Sequence, residues 1–248
     1  MAEDFYAFGD MLGEGATATV HRASQRQPGR ASACGAGDDD AIPIPSTVAI
    51  KTIKKSNELY SAEDVEREVS CMRAVSGHQN VVRLHEVFHS EGAVQLVLDV
   101  AVGGELFDVL CARGSFSEAQ AKAAVVDLCS ALSELHRKGI IHRDLKADNL
   151  LVAGVAEGGG CAERILLSDF GLARSVPEDG SQMFECCGSP AYAAPEILCG
   201  SGYSGTASDM WSVGVLVYML LCGYPPFYAD DAAALHAGVL RDHDGPRC

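Results

Sequence analysis

His142-Arg143-Asp144-Leu145-Lys146-Ala147-Asp148-Asn149 is the stretch on which the reading of this chain turns. It places two acids, an amide and three basic side chains directly after the apolar pair Ile140-Ile141. Four other short runs stand around it in order. Gly13-Glu14-Gly15-Ala16-Thr17-Ala18-Thr19-Val20 and Val48-Ala49-Ile50-Lys51 precede it; Asp169-Phe170-Gly171 and Ala194-Pro195-Glu196 follow. Each alone is weak. The glycines at 13 and 15 suit a plain hairpin or a dinucleotide-binding turn as well as a phosphate loop. Lys51, on a strand shortly after, argues against the dinucleotide turn.

Composition sets the frame. The chain has 248 residues, 48% of them hydrophobic, which suffices for one large domain or two small lobes with a buried core. No run reaches the roughly 18 apolar residues of a membrane span. The start, Met1-Ala2-Glu3-Asp4, has neither the basic and apolar character of a signal peptide nor a myristoylated Gly. The expectation is a cytoplasmic protein, or a nuclear one, with no membrane partner. A formal charge of −15 repels phosphates, so no nucleic-acid partner is expected, while basic peptides are compatible with it. Ten cysteines occur without Cys-x-x-Cys spacing, which points to neither zinc nor a disulfide framework. The adjacent Cys186-Cys187 stands out as a candidate redox-sensitive pair.

The period of the apolar residues divides the chain. Phe5 to Val20 reads as strand–turn–strand, Thr47 to Ile53 as a strand, and Val81 to Val87 and Val94 to Val100 as two more. Val65, Val69, Met72 and Val75 predict a helix over Ala62 to Val75. Ser117 and Gln120 form a capping box for a helix running to about His136. Asp209 to Leu221 reads as an apolar helix stopped by Gly223 and Pro225-Pro226, and Asp231 to Leu240 as one more. Gln25 to Ser46, with Asp38-Asp39-Asp40, reads as a flexible insertion between strands, with a partner-binding role as the alternative. Ala153 to Glu163 reads as an insertion lengthening a hairpin.

The ordered runs are the signature set of protein kinases. From Phe5 to about Leu240 the chain resembles a eukaryotic Ser/Thr protein kinase of the calcium/calmodulin-dependent group. Its pattern is nearest to phosphorylase kinase catalytic subunits and plant-type calcium-dependent kinases. The resemblance implies an α+β bilobal fold: a β-rich N-lobe over 1–98 with the insertion 25–46, a hinge at 99–103, and a mainly helical C-lobe over 104–248 that lacks the last family helices. It implies ATP and Mg²⁺ as cofactors. Leu12, Gly13, Gly15, Val20, Ala49, Lys51, Leu98, Asp99, Ala101 and Leu151 would bind ATP, with Leu98 as gatekeeper. Ala18 departs from the third glycine of the loop. Lys51 needs a carboxylate partner, for which Glu68 is preferred and Glu63 or Glu66 are alternatives. Asp144 would orient the acceptor hydroxyl, Lys146 would stabilise the transferring phosphoryl group, and Asn149 and Asp169 would hold the metal.

The same resemblance bears on substrate and control. Lys146 and Gly188-Ser189-Pro190 indicate Ser/Thr specificity, with Ser189 bonding the catalytic Asp and Lys. Glu105 and Asp148 stand where basophilic relatives bind basic residues upstream of the acceptor, so protein substrates with basic motifs are expected. Each is otherwise a surface acid. Glu185 occupies the place of a phosphorylated Thr and would pair with Arg143, unless it is a solvated loop residue. The resemblance also implies further helices and an Arg partner for Glu196. The sequence ends at Cys248, so this reading expects Glu196 to lack that partner and finds no EF-hand or room for a calmodulin-binding tail. A regulatory partner is compatible with this reading. The alternative function is a catalytically weak or inactive kinase-like interaction module.

Overall fold

Short runs rich in β-branched and other apolar residues produce most of the strands within the first hundred positions. The computed structural model describes residues 1–27, 29, 43–154, 164–177, 179, 181–200, 202–203, 205–228 and 231–243. The chain divides into two compact units, Met1–Ala101 and Val102–Cys248.

The first unit is an antiparallel sheet of β1 (Tyr6–Glu14), β2 (Ala18–Gln25), β3 (Thr47–Lys54), β4 (Leu84–His89) and β5 (Ala93–Leu98), in the order β1-β2-β3-β5-β4. One helix, α1 (Ala62–Ala74), follows β3, and the Ser61 hydroxyl caps it by accepting the Asp64 N–H at 3.2 Å. Ala2, Tyr6, Ala23, Ile44, Val48, Ile50 and Val97 form a buried cluster with Phe88 against it. Tyr6 lies fully inside because its hydroxyl donates to Glu86 at 2.6 Å. The expected insertion is folded at both margins. Gln25 donates its N–H to the Ser46 carbonyl at 2.9 Å, and its side-chain amide donates to the Ile44 carbonyl at 2.8 Å. Residues 28 and 30–42, including the acid run, lie outside the described residues.

β4 starts and ends later than the valine run predicts. β5 stops at Leu98 because Asp99 turns its own N–H to the Arg83 carbonyl (3.1 Å) and its carboxylate to the Arg83 N–H (3.2 Å). Apolar content alone did not mark these ends.

The second unit is mainly helical: α2 (Leu106–Arg113), α3 (Glu118–Arg137), the single turn α4 (Pro195–Leu198), α5 (Thr206–Cys222) and α6 (Ala232–His243). The capping box of α3 is present, with Ser117 and Gln120 exchanging side-chain and backbone bonds. Ala121, Ala124, Leu128, Ala131, Leu132 and Leu135 of α3 are buried, and α5 packs against this helix with Val213, Leu216, Met219 and Leu220 buried. Short antiparallel ladders sit beside them. β6 (Ile140–Ile141) pairs with β9 (Arg174–Ser175), and β7 (Leu150–Val152) with β8 (Ile165–Leu167). The β7–β8 hairpin flanks the expected second insertion, whose residues 155–163 lie outside the described ones. α2 escaped the sequence reading, since eight residues give barely two turns of periodicity. No helix among the described residues is long and apolar enough to cross a membrane.

α5 ends at Gly223, whose φ of 84° is left-handed and whose N–H bonds the Met219 carbonyl at 2.8 Å. A Cβ there would overlap the Gly114 carbonyl oxygen, so glycine is required twice over. Gly223→Ala is expected to destabilise the chain by about 2 kcal/mol or more, read as a lowered denaturant midpoint at unchanged slope.

Candidate functional site

In the first unit, antiparallel register sets Lys51 between Val20 on β2 and Leu96 on β5. On α1 the apolar face turns Val65, Val69 and Met72 inward and carries Glu68 with them. Lys51 Nζ meets Glu68 Oε1 at 2.7 Å, with side-chain exposures of 14% and 6%. Glu63 and Glu66, the alternatives, point from the exposed face of the same helix. The β1–β2 hairpin carries Leu12, Gly13, Gly15 and Val20, and it is closed by Gly15 N–H donating to the Ala18 carbonyl at 2.8 Å. Ala49 is buried on β3 opposite Leu98 on β5. Asp99 and Ala101 follow β5. Burial would raise the Asp99 carboxyl, but the hydrogen bond to His85 at 2.8 Å and the nearby Arg83 N–H outweigh it and hold the group below the ordinary carboxylate value.

In the second unit, the loop after β6 is drawn into shape by one buried acid. Asp209, in the first turn of α5 and 1% exposed, accepts the backbone N–H groups of His142 and Arg143 at 3.0 Å each and bonds the His136 ring at 2.8 Å. Arg143 is thereby held at φ 67°, a left-handed conformation that costs a non-glycine residue about 1–3 kcal/mol. Asp144 follows. Its Oδ1 accepts the Ser189 N–H and Oγ–H, both at 3.0 Å; its Oδ2 accepts the Asn149 amide at 2.9 Å and lies 3.3 Å from Lys146 Nζ. The Asn149 amide also donates to the Asp144 carbonyl at 2.8 Å. Ser168 Oγ donates to the Asn149 carbonyl, which ties β8 and the exposed Asp169 (φ 56°) to the same loop. Leu151 sits on β7. Gly188 approaches so closely that a Cβ would overlap the Arg143 carbonyl oxygen.

Arg143 turns its guanidinium inward, with 2% exposure. It donates to the Leu172 carbonyl (2.8 Å), to Glu185 Oε2 (2.9 Å) and to the Tyr203 hydroxyl (3.1 Å). Tyr203 in turn donates to the Glu185 carbonyl at 2.9 Å, and Arg174 lies 3.3 Å from the same carboxylate. Burial works against the Arg143 charge, yet Glu185 and Tyr203 raise its pKa. Burial also pushes the Cys187 thiol up, more than Arg143 pulls it down, so this site does not favour its thiolate. Glu105 opens α2, and its carboxyl is raised by burial, then by Asp108 and Asp148, against a smaller lowering by Lys146. Among the described residues no ion pair is made by Glu196.

The residues suit ATP and Mg²⁺ on two observations. The positions a Cβ would take at Gly13 and Gly15 are open or at ordinary contact, so the unit's own packing does not demand glycine there and backbone is left accessible. Asn149 spends its amide N–H groups on Asp144, which leaves its oxygen, with the Asp169 carboxylate, as hard donors. Among the described residues no cluster of three or more His, Cys, Asp or Glu could cage a metal. Mg²⁺ is commonly held by one or two such protein oxygens together with phosphates and water. Sequence reasoning missed Asp209, Tyr203 and Arg174. Asp209 was visible only as a lone acid opening an apolar helix.

Residues 43–244 match the family described as the protein kinase domain. The match starts beyond the glycine hairpin, but alignments to individual relatives include it. A probable myosin light chain kinase of Dictyostelium discoideum is 39% identical over 98% of this chain and 64% of its own length. Calcium/calmodulin-dependent protein kinase type 1 of Caenorhabditis elegans is 37% identical over 95% and 61%. A Mus musculus serine/threonine-protein kinase is 38% identical over 91% and 25%. The chain belongs to the protein kinase domain family. It is similar to kinases named for the serine/threonine type and for calcium/calmodulin dependence, and it spans about three-fifths of the length of the first two.

The Asp99 geometry has a pH signature. A carboxyl lowered in the folded state stabilises fully above its unfolded value, about 3.9, and that stabilisation is lost as pH falls through the lower folded value. Asp99→Asn is therefore expected to flatten the loss of stability below about pH 4. Denaturant midpoints measured across the acid limb check this; parallel limbs for both proteins would refute it.

Proposed function

We propose that this domain transfers the terminal phosphoryl group of ATP to serine or threonine hydroxyls of protein substrates with basic residues upstream of the acceptor. The observation that carries the reading is the holding of Asp144 from both sides, by Ser189 on one oxygen and Asn149 on the other. A carboxylate fixed in this way is suited to orient an acceptor hydroxyl and take its proton as the oxygen bonds to phosphorus. Lys146, beside the same carboxylate, would offset charge on the moving phosphoryl oxygens. Lys51, held by Glu68, would grip the nucleotide's phosphates, and Leu12, Val20, Ala49 and Leu98 would contact adenine. Asn149 and Asp169 would hold Mg²⁺, which would supply charge neutralisation on the phosphates.

For the substrate, the mutual repulsion of Glu105, Asp108 and Asp148 supports the basophilic reading, because an arriving guanidinium would relieve it. For control, the Arg143–Glu185 pair supports a segment ordered without phosphorylation, since a permanent carboxylate takes the place of the phosphate. A calcium- or calmodulin-type regulatory partner remains a proposal by similarity to the relatives' names.

Two tests follow the two halves of the reading. Asp144→Ala is expected to lower turnover on a basic Ser peptide by at least about a thousandfold, with nucleotide binding retained, whereas Lys51→Ala weakens both. Unchanged turnover in Asp144→Ala would sink the phosphoryl-transfer assignment, and absence of transfer by the parent chain would favour the interaction-module reading. Reversing Glu105 and Asp148 to Lys should raise KM for Arg-containing peptides tenfold or more, since a charge-assisted pair contributes about 1.5–3 kcal/mol. Equal effects on neutral peptides would show that these acids only shape the surface.

A further inference from the structure

Cys186 and Cys187 stand between the clamp residue Glu185 and Gly188, which approaches the Arg143 backbone. Cys186 is exposed, whereas Cys187 is half-buried. The Cys187 thiol faces the Tyr203 hydroxyl and the Arg143 guanidinium, the two groups that hold Glu185. It also lines a small cavity of mixed polarity with Arg143, Asp144, Ser189 and Ile197. Of the two adjacent residues, Cys186 is thus the solvent-exposed one and Cys187 the one packed against the clamp.

That arrangement selects the chemistry able to use both sulfurs. A direct disulfide is poorly suited, because neighbouring Cα atoms are about 3.8 Å apart while unstrained disulfides need about 4.4–6.8 Å. A soft centre inserted between the sulfurs enlarges the ring and removes that conflict, and thiolates prefer soft centres. We propose that Cys186 and Cys187 form a dithiol site for a monosubstituted trivalent arsenical, and that occupancy of the site releases Glu185 from Arg143. The reaction is an exchange without electron transfer. R–As(OH)₂ and two thiols give R–As(S-Cys)₂ and two waters, with each As–O bond replaced by As–S and each thiol proton leaving in water.

Both sulfurs must then turn to one side. Cys187 has to leave Tyr203 and Arg143, and the backbone that carries Glu185 moves with it. Capture and clamp are therefore mutually exclusive, and a weaker clamp must tighten capture by the same factor. The inference depends on the Arg143–Glu185 contact and not on phosphoryl transfer, so its test needs no kinase activity.

Phenylarsine oxide is the probe, with intact mass recorded after a wash in excess 2-mercaptoethanol and again after 2,3-dimercaptopropanol. The parent chain is expected to keep one arsenical through the monothiol wash and lose it to the dithiol. Cys186→Ser, an exposed change expected to leave the melting temperature unaltered, should keep none, and Cys187→Ser likewise. Glu185→Gln should bind at least about two- to fivefold more tightly, the range for an ion pair whose carboxylate is exposed, here with a buried guanidinium as its partner. Retention by Cys186→Ser equal to the parent's would place the arsenical on other cysteines and overturn the site. Equal affinity in Glu185→Gln and the parent would overturn its coupling to the clamp.

Discussion

The left-handed backbone at Arg143, pinned by the buried Asp209 carboxylate, is the constraint from which the rest of the second unit's chemistry follows. Left-handed φ at a non-glycine residue costs about 1–3 kcal/mol. Two hydrogen bonds from backbone N–H to a charged acceptor contribute about 1.5–3 kcal/mol each, which is enough to offset it. With that turn in place, Arg143 sends its guanidinium inward to Leu172, Glu185 and Tyr203, while Asp144 faces Asn149 and Ser189. Asp209 touches none of the reacting atoms in this reading. It is a positioning residue, and its own burial is tolerated because three donors converge on it.

The Lys51–Glu68 pair poses the opposite question. Both side chains are nearly buried, and taking two charges from water usually costs as much as their attraction returns. Stability alone is therefore a poor reason for the pair. A lysine held rigid and charged on a central strand, beside a hairpin whose glycines leave backbone open, makes better sense as a fixed cation for phosphate oxygens. The Arg143–Glu185 pair is asymmetric in a different way, with 2% exposure at the guanidinium and 59% at the carboxylate. The arginine is committed by its bonds to Leu172 and Tyr203 whatever the acid does. The acid is the exchangeable half, and for that reason the segment around it, including the two cysteines, is the place where order can be gained or lost.

Much of this was legible in the sequence because its signals are local. The β-branched run Thr47, Val48, Ile50, Thr52 and Ile53 marks the strand of Lys51, Ser117 and Gln120 mark the start of α3, and the spacing from Asp144 to Asn149 brings both onto one loop. Other features depended on pairing partners far along the chain. The end of β5 is set by Asp99 bonding Arg83, and α2 is too short for its period to stand out. Glu63, Glu66 and Glu68 carry the same side chain, and only the helix's packed face separates them, by burying Glu68 with Val65 and Val69.

By itself, then, the sequence determined the order of most strands and helices and the candidate set of side chains for phosphate, because periodicity, caps and motif spacing act over a few residues. Tertiary structure alone decided which partners those side chains meet. Asp209 reaches back to His142 and Arg143, Tyr203 joins Arg143 to Glu185, and Cys187 is half-buried while Cys186 is exposed. Such choices depend on which buried donor finds which acceptor after the chain has folded. Burial makes an unsatisfied charge or N–H costly, so the packing of distant segments, and not the local code, settles them.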